Sequence, residues 1–325
     1  MKNRLISIGE ALIDFMPEQT GMGIPEVTSF APAVGGAPAN VCGAFTKLGG
    51  QSAMITQLGT DGFGDKIVNE FQMHGIGCDY VKRTDKANTS LAFVALKEGG
   101  NREFSFYRNP GADMLYDPED IKEEWFEDVY ALHFCSVSLG DFPMKEAHKK
   151  AIEYASKHGA IISFDPNLRP ALWKDTESMV EAVKEFLPYA DIIKVSDEEL
   201  ETLTGKTDIY EALGELLYGN TKILIYTEGG DGARAFSWKG EGIAACKPVK
   251  AVDTTGAGDG FIGSFLYSLY MNGVKKEELD QITGDKLVEY LEFSNAFCGI
   301  SVQKKGAIIS YPTLEQVKEV LASEE

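Results

Sequence analysis

The sequence predicts an α/β fold, with a central, mostly parallel sheet between helices and a small β-sheet lid. From about residue 119, short buried strand patterns alternate with amphipathic helical patterns, as in parallel sheets covered by helices. Segments near 10–35 and 88–115 are instead rich in glycine and strand-like patterns, which favours a second, smaller sheet. The chain has 325 residues, 44% of them hydrophobic, enough for a large core. Because the lid segments are discontinuous in sequence, we expect a single domain over 1–325.

The individual elements follow from hydrophobic periodicity and from the glycines that end them. Apolar runs predict buried strands, in chain order, at 5–9, 52–58, 131–136, 160–165, 192–195 and 223–227. Lid strands are expected at 89–97 and 102–108, joined by a hairpin turn at 98–101. Helical periodicity predicts helices at 37–48, 65–74, 143–157, 175–187, 197–203, 208–218, 284–303 and 313–322. A strand-like stretch at 243–252 and an apolar helical pattern from Phe261 to Gly273 flank a glycine-rich turn.

Composition excludes several classes of function. The formal net charge of −19 disfavours binding to nucleic acids and to anionic membranes, since both require a basic face. No apolar run approaches the roughly 18 residues of a membrane span. The five cysteines form no CxxC pair and the four histidines no HExxH motif, so no zinc site or disulfide framework is indicated. Glu10 and Asp14 interrupt what would be a signal peptide's apolar run, and we expect a cytoplasmic protein.

The most informative segment is Asp253-Thr-Thr-Gly-Ala-Gly-Asp259. Glycines at the start of a helix expose backbone N–H groups, and the helix dipole adds partial positive charge there, so the turn is suited to binding phosphate. The carboxylate of Asp259 follows within about one helical turn. A negative side chain beside a phosphate site is unfavourable for simple binding, but it suits a base that deprotonates the group attacking the phosphate.

A second glycine cluster, Gly35-Gly-Ala-Pro-Ala-Asn40, precedes the first predicted helix. Adjacent glycines allow the backbone to approach a ligand closely, and Asn40 offers both a donor and an acceptor. Taken alone, the cluster is also compatible with a tight loop before a helix. The sequence has no GxxxxGK[ST] P-loop, no GxGxxG in the first βα unit and no GxSxG motif.

Together the two clusters resemble the paired signatures of the PfkB, or ribokinase-like, carbohydrate kinases, and Gly49 and Gly59 continue the first at the family's spacing. Within that family, four further segments resemble fructokinases, namely 8–14, 106–113, 164–170 and 194–200. The resemblance spans nearly the whole chain. It implies a ribokinase-like three-layer α/β/α fold with a small β-sheet lid.

The resemblance also implies roles for individual residues. Asp259 is the expected base, and the N–H groups of Gly256, Ala257 and Gly258 the expected anion hole. The expected sugar-binding residues are Asp14, Gly35, Gly36, Asn40, Phe104, Arg108 and Arg169. The expected ATP-binding residues are Lys194, Ser196, Glu199, Thr227, Gly229, Gly232 and Asn295. Glu199 is expected to organise Mg²⁺ through water, and a monovalent cation, K⁺, is expected at Asp253, Thr255 and Ser310.

Several of these assignments have plain structural alternatives. Arg108 and Arg169 could form ion pairs, Phe104 could serve packing in the lid, and Lys194 could be a buried stem with a charged tip. Ser196 stands where ribokinases have an Asn, which weakens the case for its phosphate contact.

The implied reaction is ATP-dependent phosphorylation of a sugar hydroxyl, at carbon 6 of fructose. A 2-keto-3-deoxygluconate kinase, or another small-sugar or nucleoside kinase of the family, is the alternative. A catalytically silent sugar sensor is the alternative from another class of protein. Relatives also suggest a homodimer formed through the lid.

Overall fold

In the computed structural model, which describes residues 3–97 and 102–323, the central sheet has ten strands. The strands of the protein are β1 Arg4–Ile8, β2 Leu12–Pro17, β3 Phe30–Gly35, β4 Gln51–Gly59, β5 Ile76–Gly77, β6 Val81–Thr84, β7 Leu91–Leu96, β8 Arg102–Tyr107, β9 Val129–Cys135, β10 Ile161–Asp165, β11 Ile192–Ser196, β12 Ile223–Thr227, β13 Gly232–Ser237 and β14 Gly240–Ala245. The central sheet runs β14-β13-β12-β11-β10-β9-β1-β4-β5, and β6 pairs with β4. Its pairs are parallel except where β13 joins β12 and β14.

Helices cover both faces of this sheet. They are α1 Ala37–Lys47, α2 Gly62–Met73, α3 Pro143–Lys157, α4 Thr176–Phe186, α5 Asp197–Thr204, α6 Ile209–Leu216, α7 Ala257–Met271, α8 Gly284–Ser301 and α9 Leu314–Ala322. Successive strand residues face opposite sides. Leu5 therefore joins the core cluster that contains Phe265 of α7, whereas Ile6 joins the cluster that contains Met144 of α3. The result is the predicted three-layer α/β/α arrangement.

The predicted lid is a separate four-stranded sheet in the order β3-β2-β7-β8. Its strands come from two distant parts of the chain, because β2 pairs in parallel with β7 while each also pairs with its hairpin partner. The turn predicted at 98–101 lies outside the described residues. On one side of the sheet Phe15 stacks on Phe93 with 4.6 Å between ring centroids. This aromatic packing ties the two hairpins together.

Most predicted elements are confirmed to within a few residues, but one prediction is wrong. The strand expected at 243–252 ends at Ala245, so the segment before Asp253 is not a strand. Pro248 has no N–H group to extend a sheet ladder. The N–H groups of Val252 and Asp253 donate instead to the carbonyl of Val302, just beyond α8. The glycine-rich turn is therefore positioned by the end of α8 rather than by a strand.

Strands β6, β13 and β14 were not expected at their observed positions, and β2 and β3 were expected only as unspecified lid segments. In the part of the chain that the structure describes, no helix is long and apolar enough to cross a bilayer.

Candidate active site

A cavity of about 400 Å³ lies between the carboxyl ends of the central strands and the lid. This is the edge at which open α/β sheets bind ligands, and the volume suits a small molecule. The predicted residues on its wall are Asp14, Gly36, Asn40, Phe104, Arg169, Lys194, Ser196, Glu199, Thr227, Gly229, Gly232, Thr255, Gly256, Ala257, Gly258, Asp259 and Asn295. The remaining predicted residues do not line the cavity; they are Gly35, Arg108, Asp253 and Ser310. The structure thus brings the two glycine clusters together.

Asp259 is in the first turn of α7 and only 6% exposed. Its Oδ2 accepts a hydrogen bond from Nδ2 of Asn40 at 2.8 Å, and its Oδ1 accepts one from Nδ2 of Asn167 at 2.9 Å. Burial raises the pKa of Asp259 to about 6, although the hydrogen bond from Asn40 acts in the opposite direction. The carboxylate is therefore oriented by two amides and is a stronger base than an exposed aspartate.

The turn before Asp259 has the geometry of an anion site. Gly256 is the N-cap of α7 and has a φ of 72°, in the left-handed region that glycine favours. The hydroxyl of Tyr311 donates to the carbonyl of Gly256 at 2.7 Å and holds the turn in place. The N–H group of Ala257 also donates to the carbonyl of Thr254 at 3.2 Å, as part of the turn. The start of a 15-residue helix thus opens into the cavity.

Lys194 lies directly beneath this turn. A Cβ atom on Gly258 would be 3.2 Å from Nζ of Lys194, so glycine lets the ammonium approach the backbone closely. The ammonium also donates to Oδ2 of Asp165 at 2.9 Å, and both side chains are at most 4% exposed. Burial alone would lower the pKa of Lys194, but the carboxylates of Asp165 and Glu199 outweigh it and raise the pKa above its ordinary value. The lysine therefore carries a fixed positive charge at the start of α7.

The first glycine cluster shapes the opposite wall. Gly36 has a φ of 108°, and a Cβ there would be 2.6 Å from the carbonyl oxygen of Glu10. A Cβ on Gly35 would collide with the carboxylate of Asp14. Gly36 thus makes room for the backbone just before lid strand β2, and Gly35 makes room for Asp14 on that strand. Asp14 lines the cavity, whereas Gly35 does not.

The other end of the cavity is formed around the ends of β11 and β12. Glu199 accepts from the N–H and hydroxyl of Ser196 through Oε2, and from the N–H of Leu168 through Oε1 at 2.6 Å. Asn295 donates to the carbonyl of Ala244 at 2.9 Å. Thr227, Gly229 and Gly232 complete this end of the wall. The residues at the ends of β11 and β12 thus line the part of the cavity that the two glycine clusters do not reach.

Arg108 is placed differently from the sequence-based expectation. Its side chain is 4% exposed, and its Nε donates to Oδ2 of Asp113 at 2.8 Å. It also donates to the carbonyl of Val137, and it is not among the residues on the cavity wall. Arg108 therefore forms an ion pair, which was the structural alternative to sugar binding. Arg169, by contrast, lines the cavity and donates to the carbonyl of Leu168 at 2.8 Å.

The residues predicted to hold a monovalent cation lie together behind the turn. Oδ1 of Asp253 accepts from the N–H and hydroxyl of Thr255, and its Oδ2 accepts from the N–H of Gly306 at 2.9 Å. The hydroxyl of Ser310 lies 2.7 Å from that of Ser301. The segments around 253–256 and 306–311 thus form an oxygen-rich region next to the anion site.

Asn167 and Glu10 are among the cavity residues that were not predicted from the sequence. Asn167 follows the strand-end Asp165, in a segment whose only predicted site residue was Arg169; the short Asp-Pro-Asn motif was the available signal. Glu10 lines the cavity with 2% exposure and accepts from the hydroxyl of Ser138 at 2.9 Å. Burial raises the pKa of Glu10 to about 7, against the opposing effect of Arg108. In the sequence it appeared only as a charge interrupting an apolar run.

Comparison with known proteins identifies the family. The sequence matches the pfkB family carbohydrate kinases over residues 2–314. The chain belongs to this family. It is 42% identical over 320 residues to probable fructokinase-5 of Arabidopsis thaliana, covering 98% of this chain and 97% of that protein.

Solved structures agree in fold along the whole chain. The crystal structure of a fructokinase from Xylella fastidiosa with bound ATP has a TM-score of 0.91 and 33% identity, covering 100% of this chain and 99% of that one. A fructokinase double mutant from Vibrio cholerae O395, with fructose, ADP and a potassium ion bound, has a TM-score of 0.85 and 28% identity over 98% of each chain. The ribokinase-like fold expected from the sequence is thereby confirmed, and the protein is a sugar phosphotransferase.

Replacing Asp259 by Asn should lower kcat by about 100-fold or more, because the amide has no basic lone pair for the substrate's proton. Binding of the sugar, measured by calorimetry without nucleotide, should change by less than about tenfold, since the side chain keeps its size and only one of its contacts with Asn40 and Asn167 changes from acceptor to donor. Thermal melting checks that the variant is folded. A folded variant with kcat within threefold of wild type would show that Asp259 is not the base.

Activity should fall as the pH drops through about 6. A carboxylate acts as a base only when it is deprotonated, and burial raises the pKa of Asp259 to about 6. Below that pH, kcat/KM for the sugar at saturating ATP should decrease roughly tenfold per pH unit. Glu10→Gln serves as the control for the other raised carboxyl group. The acidic limb should stay near pH 6 in this variant, and a profile flat down to pH 5 would contradict the assignment.

Proposed function

We propose that this protein transfers the γ-phosphate of ATP to the hydroxyl on carbon 6 of fructose. The observation that carries the proposal is the Asp259 carboxylate, buried at the start of α7 and held between two amides. This arrangement supports a base next to an anion site, because Asp259 and the glycine-rich turn line one cavity. The fructokinase relatives supply the choice of sugar and of nucleotide.

The chain's own residues divide the work between two ends of the cavity. At one end, Asp14 and the backbone at Gly36 would bind sugar hydroxyls, and Asp259 would take the proton from the attacking one. Asn40 and Asn167 each have a buried Oδ1 without a protein partner in the described structure, so a hydroxyl donor of the sugar would suit them. At the start of α7, backbone N–H groups and Lys194 would stabilise charge on the phosphoryl group.

The other end would hold the nucleotide. Thr227, Gly229 and Gly232 would contact ATP, and Asn295 would lie near the adenine. The hydroxyl of Ser196 already donates its one proton to Glu199 at 3.0 Å, so donating to a phosphate would require it to give up that bond. Phe104 and the lid would cover the sugar and exclude water, which competes as a phosphoryl acceptor.

Glu199 fits a water-mediated magnesium site better than a direct one. Both of its oxygens accept hydrogen bonds from the chain, and Asp197 and Glu198 lie beside it on the cavity wall. Within residues 3–97 and 102–323, no group of three or more His, Cys, Asp or Glu side chains is arranged to hold a metal ion. Mg²⁺ commonly binds through few carboxylates, several waters and substrate phosphates, whose charge it offsets when bound.

The region behind the turn fits a potassium ion in its donor chemistry, since Asp253, Thr255 and Ser310 present oxygen atoms there. A bound monovalent cation would add positive charge behind the anion hole. This suits a protein with a formal net charge of −19, which has no general attraction for phosphate.

Two observations argue against 2-keto-3-deoxygluconate, the main alternative substrate. Its carboxylate needs a basic partner, but of the two arginines expected at the sugar Arg108 is paired with Asp113, and only Arg169 is on the described cavity wall. Glu10 and Asp14 instead place acidic groups near the lid side of the cavity. A silent sensor is disfavoured because Asp259 retains a complete hydrogen-bonding environment. We further propose a single-domain, cytoplasmic enzyme that dimerises through its lid.

A substrate panel tests the choice of sugar. With ATP and Mg²⁺, kcat/KM should be higher for fructose than for 2-keto-3-deoxygluconate, ribose or adenosine, and NMR of the product should show phosphate on carbon 6. Asp14→Asn should raise the KM for fructose by about tenfold or more, because hydrogen bonds to a charged acceptor are lost. A higher kcat/KM for any other member of the panel would overturn the choice of fructose.

The cation site is tested by replacing KCl with NaCl or choline chloride at constant ionic strength. The rate should fall in both, because neither cation would match a site suited to K⁺. Asp253→Asn should remove most of this dependence, since it weakens the only charged group of the predicted set. A wild-type rate that is indifferent to the exchange would show that the cation has no role.

A further inference from the structure

We propose that Asp165 is a positioning residue that holds the catalytic base and the phosphate-side lysine in fixed relation to each other. It acts through Asn167 on one side and Lys194 on the other. The role of Asn167 follows from its contact with Asp259, whereas the role of Lys194 rests on the proposed use of ATP.

Asp165 is the last residue of β10 and is fully buried. Each of its oxygens accepts from a different part of the site. Oδ1 accepts from the N–H group of Asn167 at 3.1 Å, and Oδ2 accepts from Nζ of Lys194 at 2.9 Å. A single carboxylate thus connects the loop after β10 with the neighbouring strand β11.

The first contact determines the conformation of Asn167. A hydrogen bond that an aspartate side chain accepts from the N–H group two residues later forms an Asx-turn. Asn167 has a φ of 45°, a left-handed conformation that is unfavourable for most residues and that Asn tolerates better. This conformation accompanies the contact between Nδ2 of Asn167 and Oδ1 of Asp259 at 2.9 Å. Releasing the turn would therefore free one of the two amides that orient the base.

The second contact fixes Lys194 at the start of α7. The lysine side chain is 4% exposed, and its ammonium lies against Gly258, one residue before Asp259. A buried ammonium without its carboxylate would be strongly unfavourable. Removing the charge of Asp165 would thus disturb the phosphate side of the site at the same time as the base side.

A purely structural ion pair is the competing explanation, and the chain provides a matched control. Asp191 is 1% exposed and immediately precedes β11. It also accepts from a backbone N–H group, that of Ile162 at 2.8 Å, and from a lysine, Lys276 at 2.7 Å. It lies at the amino ends of the same two strands, away from the cavity. Asp191→Asn therefore removes a similarly bonded buried carboxylate at the opposite edge of the sheet, although its lysine partner is 27% exposed.

The test compares Asp165→Asn with Asp191→Asn, using the best sugar of the panel and ATP. Asp165→Asn should lower kcat by about 10- to 100-fold, the range expected for a small misplacement of reacting groups. Its sugar dissociation constant should rise by less than about tenfold, since Asn167 would supply only one of the proposed hydrogen bonds to the sugar. Asp191→Asn should lower the melting temperature but leave kcat within about twofold.

Asp165→Glu keeps the charge for Lys194, but its longer side chain no longer forms the same turn with Asn167. Its kcat should lie between those of wild type and Asp165→Asn, which also covers the case in which the asparagine variant does not fold. In an Asn167→Ala, Lys194→Met background, adding Asp165→Asn should reduce kcat by less than about threefold, because residues that act as a unit are not additive.

The inference is overturned if folded Asp165 variants keep kcat like Asp191→Asn, or if the full loss of kcat recurs in the Asn167→Ala, Lys194→Met background. Activity of the wild-type protein separates this result from a failure of the proposed function. A wild type that phosphorylates no sugar overturns both, whereas an active wild type with unaffected Asp165 variants overturns only the positioning role.

Discussion

The structure of the site depends on one buried carboxylate. Asp259 has 6% exposure and lies at the start of a helix, where burial opposes its charge while amide donors stabilise it. Its two amide partners are far apart in sequence, since Asn40 is on α1 and Asn167 follows β10. The donors can meet the carboxylate only when the two halves of the central sheet are assembled. The contacts that orient the proposed catalytic base therefore form only in the folded protein.

Because the protein is acidic overall, the positive charge at the proposed anion site must come from groups close to it. A net charge of −19 gives the protein no general attraction for phosphate, and the basic side chains on the described cavity wall are Lys194 and Arg169. Glycine at residue 258 favours the close approach of Lys194 to the backbone of α7, since a Cβ there would be 3.2 Å from its Nζ. The ammonium in turn requires the buried carboxylate of Asp165. Positive charge is therefore concentrated at the turn by close packing instead of by surface charge.

The motifs brought most candidate residues to one cavity wall without predicting the order of the strands, and the reason is physical. Residues at the carboxyl ends of parallel strands meet whatever the order of the strands, so motifs ending in Asp165 or Ser196 could be assigned to one cavity. Side-chain partners are different. Nothing in the local sequence shows that Arg108 turns inward to Asp113 instead of towards the sugar. The prediction of a strand at 243–252 was wrong because it followed the apolar residues alone. The observed strand ends at Ala245, before Pro248.

The buried residues Glu10 and Arg108 help to attach the lid to the central sheet. Glu10 lies between β1 and lid strand β2, whereas Arg108 directly follows lid strand β8. Ser138, after β9, bonds to Glu10 at 2.9 Å, and Arg108 contacts the adjacent carbonyl of Val137. Two of the four connections between the lid and the rest of the chain, those before β2 and after β8, are therefore anchored at one buried cluster beside the cavity. Since Asp14 follows Glu10 by four residues on β2, this anchoring also limits how far the Asp14 carboxylate can move relative to Asp259.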